Sequence, residues 1–176
     1  MKKILPLVLF MLFNGIMYAQ FKGLIVDNYG VTYRVNPDAT YDSVKNYKVL
    51  FDVYVDSEEH SKVNPQLTNI AEYLNKRLES GVSRDSLDIV VLFHGPATKD
   101  VLNDQAYLRF FKSENPNKAI IDSLLNEKAD LMVCGQTYKG NAYNKDEKLP
   151  NVKMALSAAA VLAWYQSAGY HIINSI

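Results

Sequence analysis

The sequence predicts a single-domain α/β protein. We expect a three-layer sandwich with a mainly parallel sheet of about five strands and helices on both faces. Three observations predict it. Short runs rich in β-branched and aromatic residues recur along the chain, and one of them, Leu87 to Phe93 (LDIVVLF), is almost continuously apolar, as a strand buried on both faces would be. Segments with helical spacing of apolar residues separate those runs. The chain has 176 residues, with 48% hydrophobic and 22% charged, the composition of one globular domain with a real core.

The first core strand is Tyr47 to Val55 (YKVLFDVYV), closed by Asp56-Ser57-Glu58-Glu59. Asn64-Pro65 then marks a helix start, with Asn as the cap and Pro in the first turn. Leu67, Ile70, Ala71, Leu74 and Leu78 keep helical spacing, and Gly81 stands where a C-terminal cap belongs. His94-Gly95-Pro96 ends the second strand. Thr98 is expected to cap a helix running to about Phe111, with Val101 and Leu102 on its buried side. Asn115-Pro116-Asn117 breaks the chain, and Ile120, Ile121, Leu124 and Leu125 build the next helix. Asp130 to Cys134 (DLMVC) is a third strand, and 138–148 reads as a polar loop of the kind that carries function. Val152 to Leu156 is a fourth strand, Ala158 to Gln166 a small-residue helix containing Trp164, and Tyr170 to Ile173 a last short strand.

The ends of the chain differ from this core. Lys2 and Lys3 precede an apolar run from Ile4 to Phe13. Asn14 and Gly15 break that run, and Ala19 is the small residue before Gln20. That is the layout of a secretory signal peptide, and the run is short for a membrane span. We therefore expect residues 1–19 to be a signal peptide cleaved after Ala19, 20–46 an N-terminal arm lying on the domain or on a neighbouring subunit, and 47–176 the α/β domain. The mature protein is expected to be periplasmic or secreted, with no membrane span. Within the arm, Val31, Tyr33 and Val35 alternate as a short edge strand would. Lys+Arg and Asp+Glu both number 19, so no basic stripe points to nucleic acid.

The candidate chemistry gathers where an open α/β sheet binds ligands, outside the carboxyl ends of its strands. Cys134 ends the third strand and is the sole cysteine, so no disulfide forms within the chain. It is either a reactive thiol or the last buried residue of a core strand. Gly135 allows close backbone approach, and Gln136 offers an amide to a bound sulfur or oxyanion. His94 either moves a proton for the thiol or caps its own strand, while Asp52, inside the first strand, needs a partner and is expected to bond backbone or a neighbouring chain rather than take part in chemistry. His60 and His171 read as solvated and structural, and Trp164 as helix packing. Three scattered histidines and one cysteine make no metal set. No G-x-S-x-G elbow, G-x-G-x-x-G turn, Walker loop or C-x-x-C pair occurs, which removes an α/β-hydrolase, a dinucleotide enzyme and a dithiol cycle. No cofactor is expected.

In order along the chain, YKVLFDVYVD, NPQLTNIAEYLN, HGPAT, ENPN, VCGQ, VKMALSAAAVL and YQSAGYHII resemble the exported branch of the DsrE/DsrF-like family, from about Asn28 to Ile173. The resemblance implies a DsrE-type fold assembled as a homo-oligomer, trimer or hexamer. It implies a cysteine that carries sulfane sulfur as a persulfide and passes it to a thiol-bearing acceptor protein or small sulfur compound. Cys134 occupies the Cys-Gly-Gln position, and His94 is the histidine of HGPAT. Gly95, Thr98, Gly135, Gln136 and Tyr170 are the implied binding residues. The relay proteins of the family are mostly cytoplasmic, whereas this chain carries a leader-like segment. Two further readings stand beside the carrier: a non-catalytic oligomeric module binding a small ligand or an envelope partner at the same edge, and a structural oligomer that uses the helix around Trp164.

Overall fold

The computed structural model describes residues 20, 21, 26, 29–33, 35, 38, 39 and 46–174. The expected signal peptide lies outside the described residues. A two-stranded antiparallel ribbon pairs β1 (Gln20–Phe21) with β2 (Thr32–Tyr33). Val26, fully buried, joins the core beside the next helix, its N–H donating to Asn75 Oδ1 at 3.4 Å.

The main sheet has five strands, all parallel: β3 (Tyr47–Val53), β4 (Leu87–Phe93), β5 (Asp130–Cys134), β6 (Lys153–Ala155) and β7 (His171–Asn174). Their spatial order is β6-β5-β4-β3-β7. From Val49 onward every residue of β3 is buried, as is every residue of β4 from Ile89, which is why both read as near-continuous apolar runs.

The helix α1 (Pro65–Glu79) starts as its sequence signals predict. Asn64 caps it by accepting from Gln66 N–H at 2.9 Å, and Pro65 fills the first turn. Gln66 then reaches back, its Oε1 accepting from the N–H groups of Tyr54 (3.0 Å) and Val55 (2.9 Å), and so closes the end of β3. Leu67, Ile70, Ala71 and Leu74 bury one stripe against the sheet.

The segment after β4 departs from expectation. Thr98 does not cap a helix. Its hydroxyl donates to Gly95 O at 2.8 Å, and Gly95–Val101 winds as a 3₁₀ turn. The following helix, α2 (Asp104–Phe111), is capped instead by Asn103, whose side chain accepts from Ala106 N–H at 2.9 Å. Next comes α3 (Lys118–Asn126). The expected polar loop begins as a short helix, α4 (Gly135–Gly140), and includes a 3₁₀ turn at Lys145–Glu147. The last helix is α5 (Ala158–Ser167), capped by Ser157.

The two faces of the sheet are covered unequally. Val49, Phe51, Val53, Ile89, Val91, Phe93, Leu131 and Val133 face the side packed by α1, the 3₁₀ turn, α2, α3 and α4. Among the described residues, Leu50, Val90, Leu92 and Met132 face α5 alone. Chirality accounts for this. The chain steps β3→β4→β5→β6 in one direction across the sheet, then returns past three strands to β7, and right-handed crossovers put helices for opposite directions on opposite faces. Among the described residues no helix is long and apolar enough to cross a membrane.

Candidate functional site

Side chains alternate faces along a strand, so Cys134 shares the α5 face with Met132, His94 shares it with Val90 and Leu92, and Asp52 shares it with Leu50. Register brings them to one edge. Phe93 pairs with Val133, so the next step along the sheet sets His94 beside Cys134, and Val53 O accepts the His94 N–H at 3.0 Å. Asp52 pairs with Leu92, two residues back on the same face.

This edge is also where the connections part. From β5 the chain leaves into α4 on the crowded face, and from the adjacent β6 it leaves toward α5 on the other. A crevice at such a switch point is where open α/β sheets hold ligands. Cys134 ends β5 at this switch point, paired with Ala155 of β6. An added Cβ on Gly135 would come within 2.6 Å of Ala155 O, so only glycine lets β5 turn into α4 this close to β6.

The Cys134 sulfur accepts two hydrogen bonds: from Ala158 N–H, the first residue of α5, at 3.3 Å, and from the Thr137 hydroxyl at 3.6 Å. Burial pushes the thiol pKa up, but the backbone and hydroxyl of Thr137, with the N–H groups of Ala158 and Gln136, outweigh it and hold the thiol below the ordinary range. Only 4% of Cys134 is exposed. Gln136 is exposed above it, its Nε2 donating to Leu156 O at 3.4 Å across the top of the sulfur's surroundings.

His94 Nε2 lies 2.7 Å from Asp52 Oδ1, so the carboxylate meets a side chain of its own chain where its position in the first strand led us to expect backbone or a neighbouring chain. Both atoms are buried, and neither meets a hydrogen-bond partner in good geometry, so the contact is an ion pair at close range. The close approach of Asp52 raises the His94 pKa against the opposing effect of burial, and the Asp52 and Cys134 charges raise it further. The Tyr54 ring lies 5.7 Å from the imidazole.

The remaining predicted site residues divide. Gly95 adopts φ +54° immediately after His94, a conformation that favours glycine, and makes the turn that carries the chain away. Thr98 is fully buried on the other side, donating to Gly95 O and accepting from Asn141 Nδ2 at 3.0 Å, so it braces the turn and its hydroxyl is committed there. Tyr170 is not at this edge. It precedes β7, whose His171 pairs with Val49, so it sits at the amino end of the sheet, its hydroxyl donating to Asp88 Oδ2 at 2.6 Å. Trp164 is 62% exposed, not packed inward.

A second polar cluster lies under the turn on the crowded face. Asp100 is fully buried, its Oδ2 accepting from Asn64 Nδ2 at 2.6 Å and its Oδ1 from Asn117 Nδ2 at 3.0 Å and Lys99 Nζ at 3.3 Å. Lys99 also meets the Tyr107 hydroxyl at 3.2 Å and Asp56 at 3.6 Å. Burial pushes the Asp100 carboxyl up to about 6, against the opposing pull of Lys99 and Asn64. Sequence reasoning missed this cluster. Its only signal was two adjacent charges, Lys99-Asp100, directly after a motif whose other members are apolar or small. Among the described residues no group of three or more His, Cys, Asp or Glu side chains is gathered to hold a metal ion.

A model of the DsrE/DsrF-like family matches residues 45–175, which leaves most of the arm outside the match. No curated protein matches the sequence. Among solved structures, the chain is similar to the protein of unknown function MTH1491 from Methanobacterium thermoautotrophicum. That match has a TM-score of 0.55 at 17% identity and covers 73% of this chain and 99% of that one. The ychN protein from E. coli matches with a TM-score of 0.48 at 10% identity, over 74% of this chain and 99% of that one. The first of these supports the DsrE-like parallel-sheet fold.

Proposed function

The chain belongs to the DsrE/DsrF-like family, and on that premise we propose that it carries sulfane sulfur as a persulfide on Cys134. The observation that supports this reading is the set of donors around one sulfur: Ala158 N–H at 3.3 Å and the Thr137 hydroxyl at 3.6 Å, at the switch point of the sheet. Such donors favour the thiolate, the nucleophilic form. In the proposed step the Cys134 thiolate attacks the outer sulfur of a donor persulfide, R–S–SH. A new S–S bond forms on Cys134 and the donor's S–S bond breaks. The departing R–S⁻ keeps that electron pair and takes the proton of the His94 imidazolium. The products are a Cys134 persulfide, R–SH and neutral His94, so protons and charge balance without an external oxidant. An acceptor thiolate takes the sulfur by the same exchange in reverse. Gln136 and the nearby N–H groups offset negative charge on the outer sulfur.

The burial of Cys134 favours a second reading. With 4% of the residue exposed, the edge at His94, Gly95 and Gln136 instead holds a small ligand or an envelope partner without covalent chemistry. Intact mass of the protein, before and after a sulfane-sulfur donor, separates the two. The carrier gains one or more sulfur atoms that a thiol removes and that Cys134→Ser lacks. A folded protein that gains none supports the binding module.

We further propose that the protein is exported and works as a homo-oligomer, a trimer or hexamer. The leader-like residues 1–19 support the first, and the uncharged α5 with exposed Trp164 and Leu156 (78% exposed) supports the second. A mature N-terminus at Gln20 and a sedimenting species larger than the monomer are the expected results.

A further inference from the structure

We infer that Asp52 is a positioning residue for His94, so that the working unit at this edge is the ordered set Asp52, His94 and Cys134 rather than the cysteine alone. The chemistry of this inference rests on the carrier reading, whereas its geometry does not.

Asp52 occupies a place where the fold has no need of a carboxylate. It lies near the carboxyl end of β3, flanked by Leu92 on one side and Asn174 on the other, and it is 8% exposed. Its same-face neighbours Leu50, Val90 and Leu92 are core. A carboxylate taken from water into such surroundings is costly unless paired, and an apolar side chain would pack there without that cost. What a carboxylate supplies, and an apolar side chain cannot, is a negative charge against an imidazole. The 2.7 Å approach of His94 Nε2 to Asp52 Oδ1 is that contact, and neither buried atom has a hydrogen-bond partner elsewhere that would account for its place.

The consequence follows from the two nitrogens of one ring. With Nε2 held against the Asp52 carboxylate, the side of the ring that stays open to the reacting sulfur is Nδ1, and proton exchange runs through it. The titratable groups that face His94 are Asp52 and Tyr54 from the β3 side and Cys134 from β5. The titratable residue of α5, Tyr165, belongs with Asp88 and Asp130 at the other edge. The cysteine has separate support, because its thiolate is favoured by N–H and O–H donors from α4 and α5. Proton supply and thiolate formation are therefore served by different residues, and a mutation can separate them.

The test uses Asp52→Asn, Asp52→Glu and His94→Gln in the full-length protein, each checked for fold by circular dichroism. Three quantities are read: the NMR titration of the His94 ring, assigned by its loss in His94→Gln; the rate of sulfur loading from a small persulfide at neutral pH; and the rate of Cys134 alkylation by iodoacetamide. In Asp52→Asn the His94 midpoint is expected to fall below that of the wild type. Sulfur loading should slow by about ten- to a hundredfold, the usual scale for loss of an orienting partner, while alkylation stays within about twofold. Asp52→Glu keeps the charge but displaces the ring, so it should slow loading while the midpoint stays above that of Asp52→Asn, and it serves if the Asn variant does not fold. A variant that combines Asp52→Asn with His94→Gln should be no slower than His94→Gln alone. An unchanged His94 midpoint, or unchanged loading in a protein that does take sulfur, overturns the inference. A wild type that takes no sulfur overturns the carrier reading instead, and the NMR titration alone then decides whether Asp52 holds His94.

Discussion

Replacing Thr137 with Val isolates one of the donors that favour the Cys134 thiolate. The shape of the side chain and the backbone N–H are kept, and only the hydroxyl that lies 3.6 Å from the sulfur is lost. A hydrogen bond to a charged group is worth about 1.5–3 kcal/mol. The length of this one and its sulfur acceptor put it below that range, at about 1 kcal/mol. The thiol midpoint of the variant should rise above the wild type, and about 1 kcal/mol corresponds to a roughly fivefold loss of thiolate wherever the pH lies below both midpoints. A more basic thiolate is the better nucleophile, with a Brønsted slope of about 0.4–0.5, which returns about twofold. The net expectation is a two- to threefold slower alkylation at low pH and an about twofold faster one above both midpoints. Iodoacetamide rates measured across the pH range for both proteins provide the check, and the two curves should cross. Superimposable curves would mean that the hydroxyl does not bear on the sulfur. A rate lowered by the same factor at every pH would mean that access, not charge, was changed. Either result refutes the electrostatic account of the lowered thiol pKa.

Three further outcomes follow from the geometry. Gly135→Ala places a Cβ within 2.6 Å of Ala155 O and should push β6 from β5, lowering stability by about 1–3 kcal/mol in urea unfolding and changing the alkylation rate of Cys134 with it. Tyr170→Phe removes a hydrogen bond at the opposite edge of the sheet; it should cost about 1 kcal/mol and leave Cys134 alkylation unchanged. Asp100→Asn sets an amide NH₂ against the donor of either Asn64 or Asn117, which bond different oxygens, and leaves Lys99 without its nearest carboxylate, so unfolding at neutral pH should show a loss of about 2–4 kcal/mol. The wild-type Asp100 also makes stability pH-dependent. Its folded carboxyl, pushed up to about 6 from an ordinary 3.8, holds its proton the more tightly. Its contribution is therefore greatest below the ordinary value and is lost, by about 3 kcal/mol at most, as the pH rises through about 6; the Asn variant should lack that slope.

Much of the fold was legible because local chemistry and burial agree in it. Leu87 to Phe93 reads as a doubly buried strand and is one, and Asn64, Pro65 and Gly81 bracket α1 where their capping chemistry puts them. The helix expected from Thr98 failed because a Thr hydroxyl can bond back to a carbonyl as well as forward to an N–H, and here Gly95 O took it. Cys134 and His94 could be set at one edge from topology alone, since both end parallel strands. Asp52 could not be joined to them, because its pairing depends on the register of β3 against β4, which periodicity does not contain. Tyr170 entered the site only through the family resemblance; its place just before β7, which runs parallel to β3, sets it at the amino end of the sheet. The unequal coverage of the two faces was also hidden. It follows from the return of β7 to the far side of β3, a fact of strand order.

The segment His94 to Asp100 faces two ways, and that joins the two polar clusters into one device. His94 points to the α5 face, where its partner is a single carboxylate and its neighbour a thiol. Six residues on, Asp100 points into the opposite layer, where both of its oxygens are satisfied by Asn64, Asn117 and Lys99, while Asn115 Nδ2 donates to Asp100 O at 2.7 Å and to Leu102 O at 2.6 Å. A buried network with its partners in place rigidifies the elements it joins, here the ends of β3 and β4, the start of α1 and the loop before α3. A 3₁₀ turn anchored so firmly at one end leaves His94 little freedom at the other, apart from rotation of its own ring, and Asp52 removes that. Rigidity from one face and orientation from the other thus meet at the imidazole. If this is so, Asp100→Asn should broaden or shift the His94 titration although Asp100 lies on the other side of the sheet. An unchanged His94 signal in that folded variant would show the two clusters to be independent.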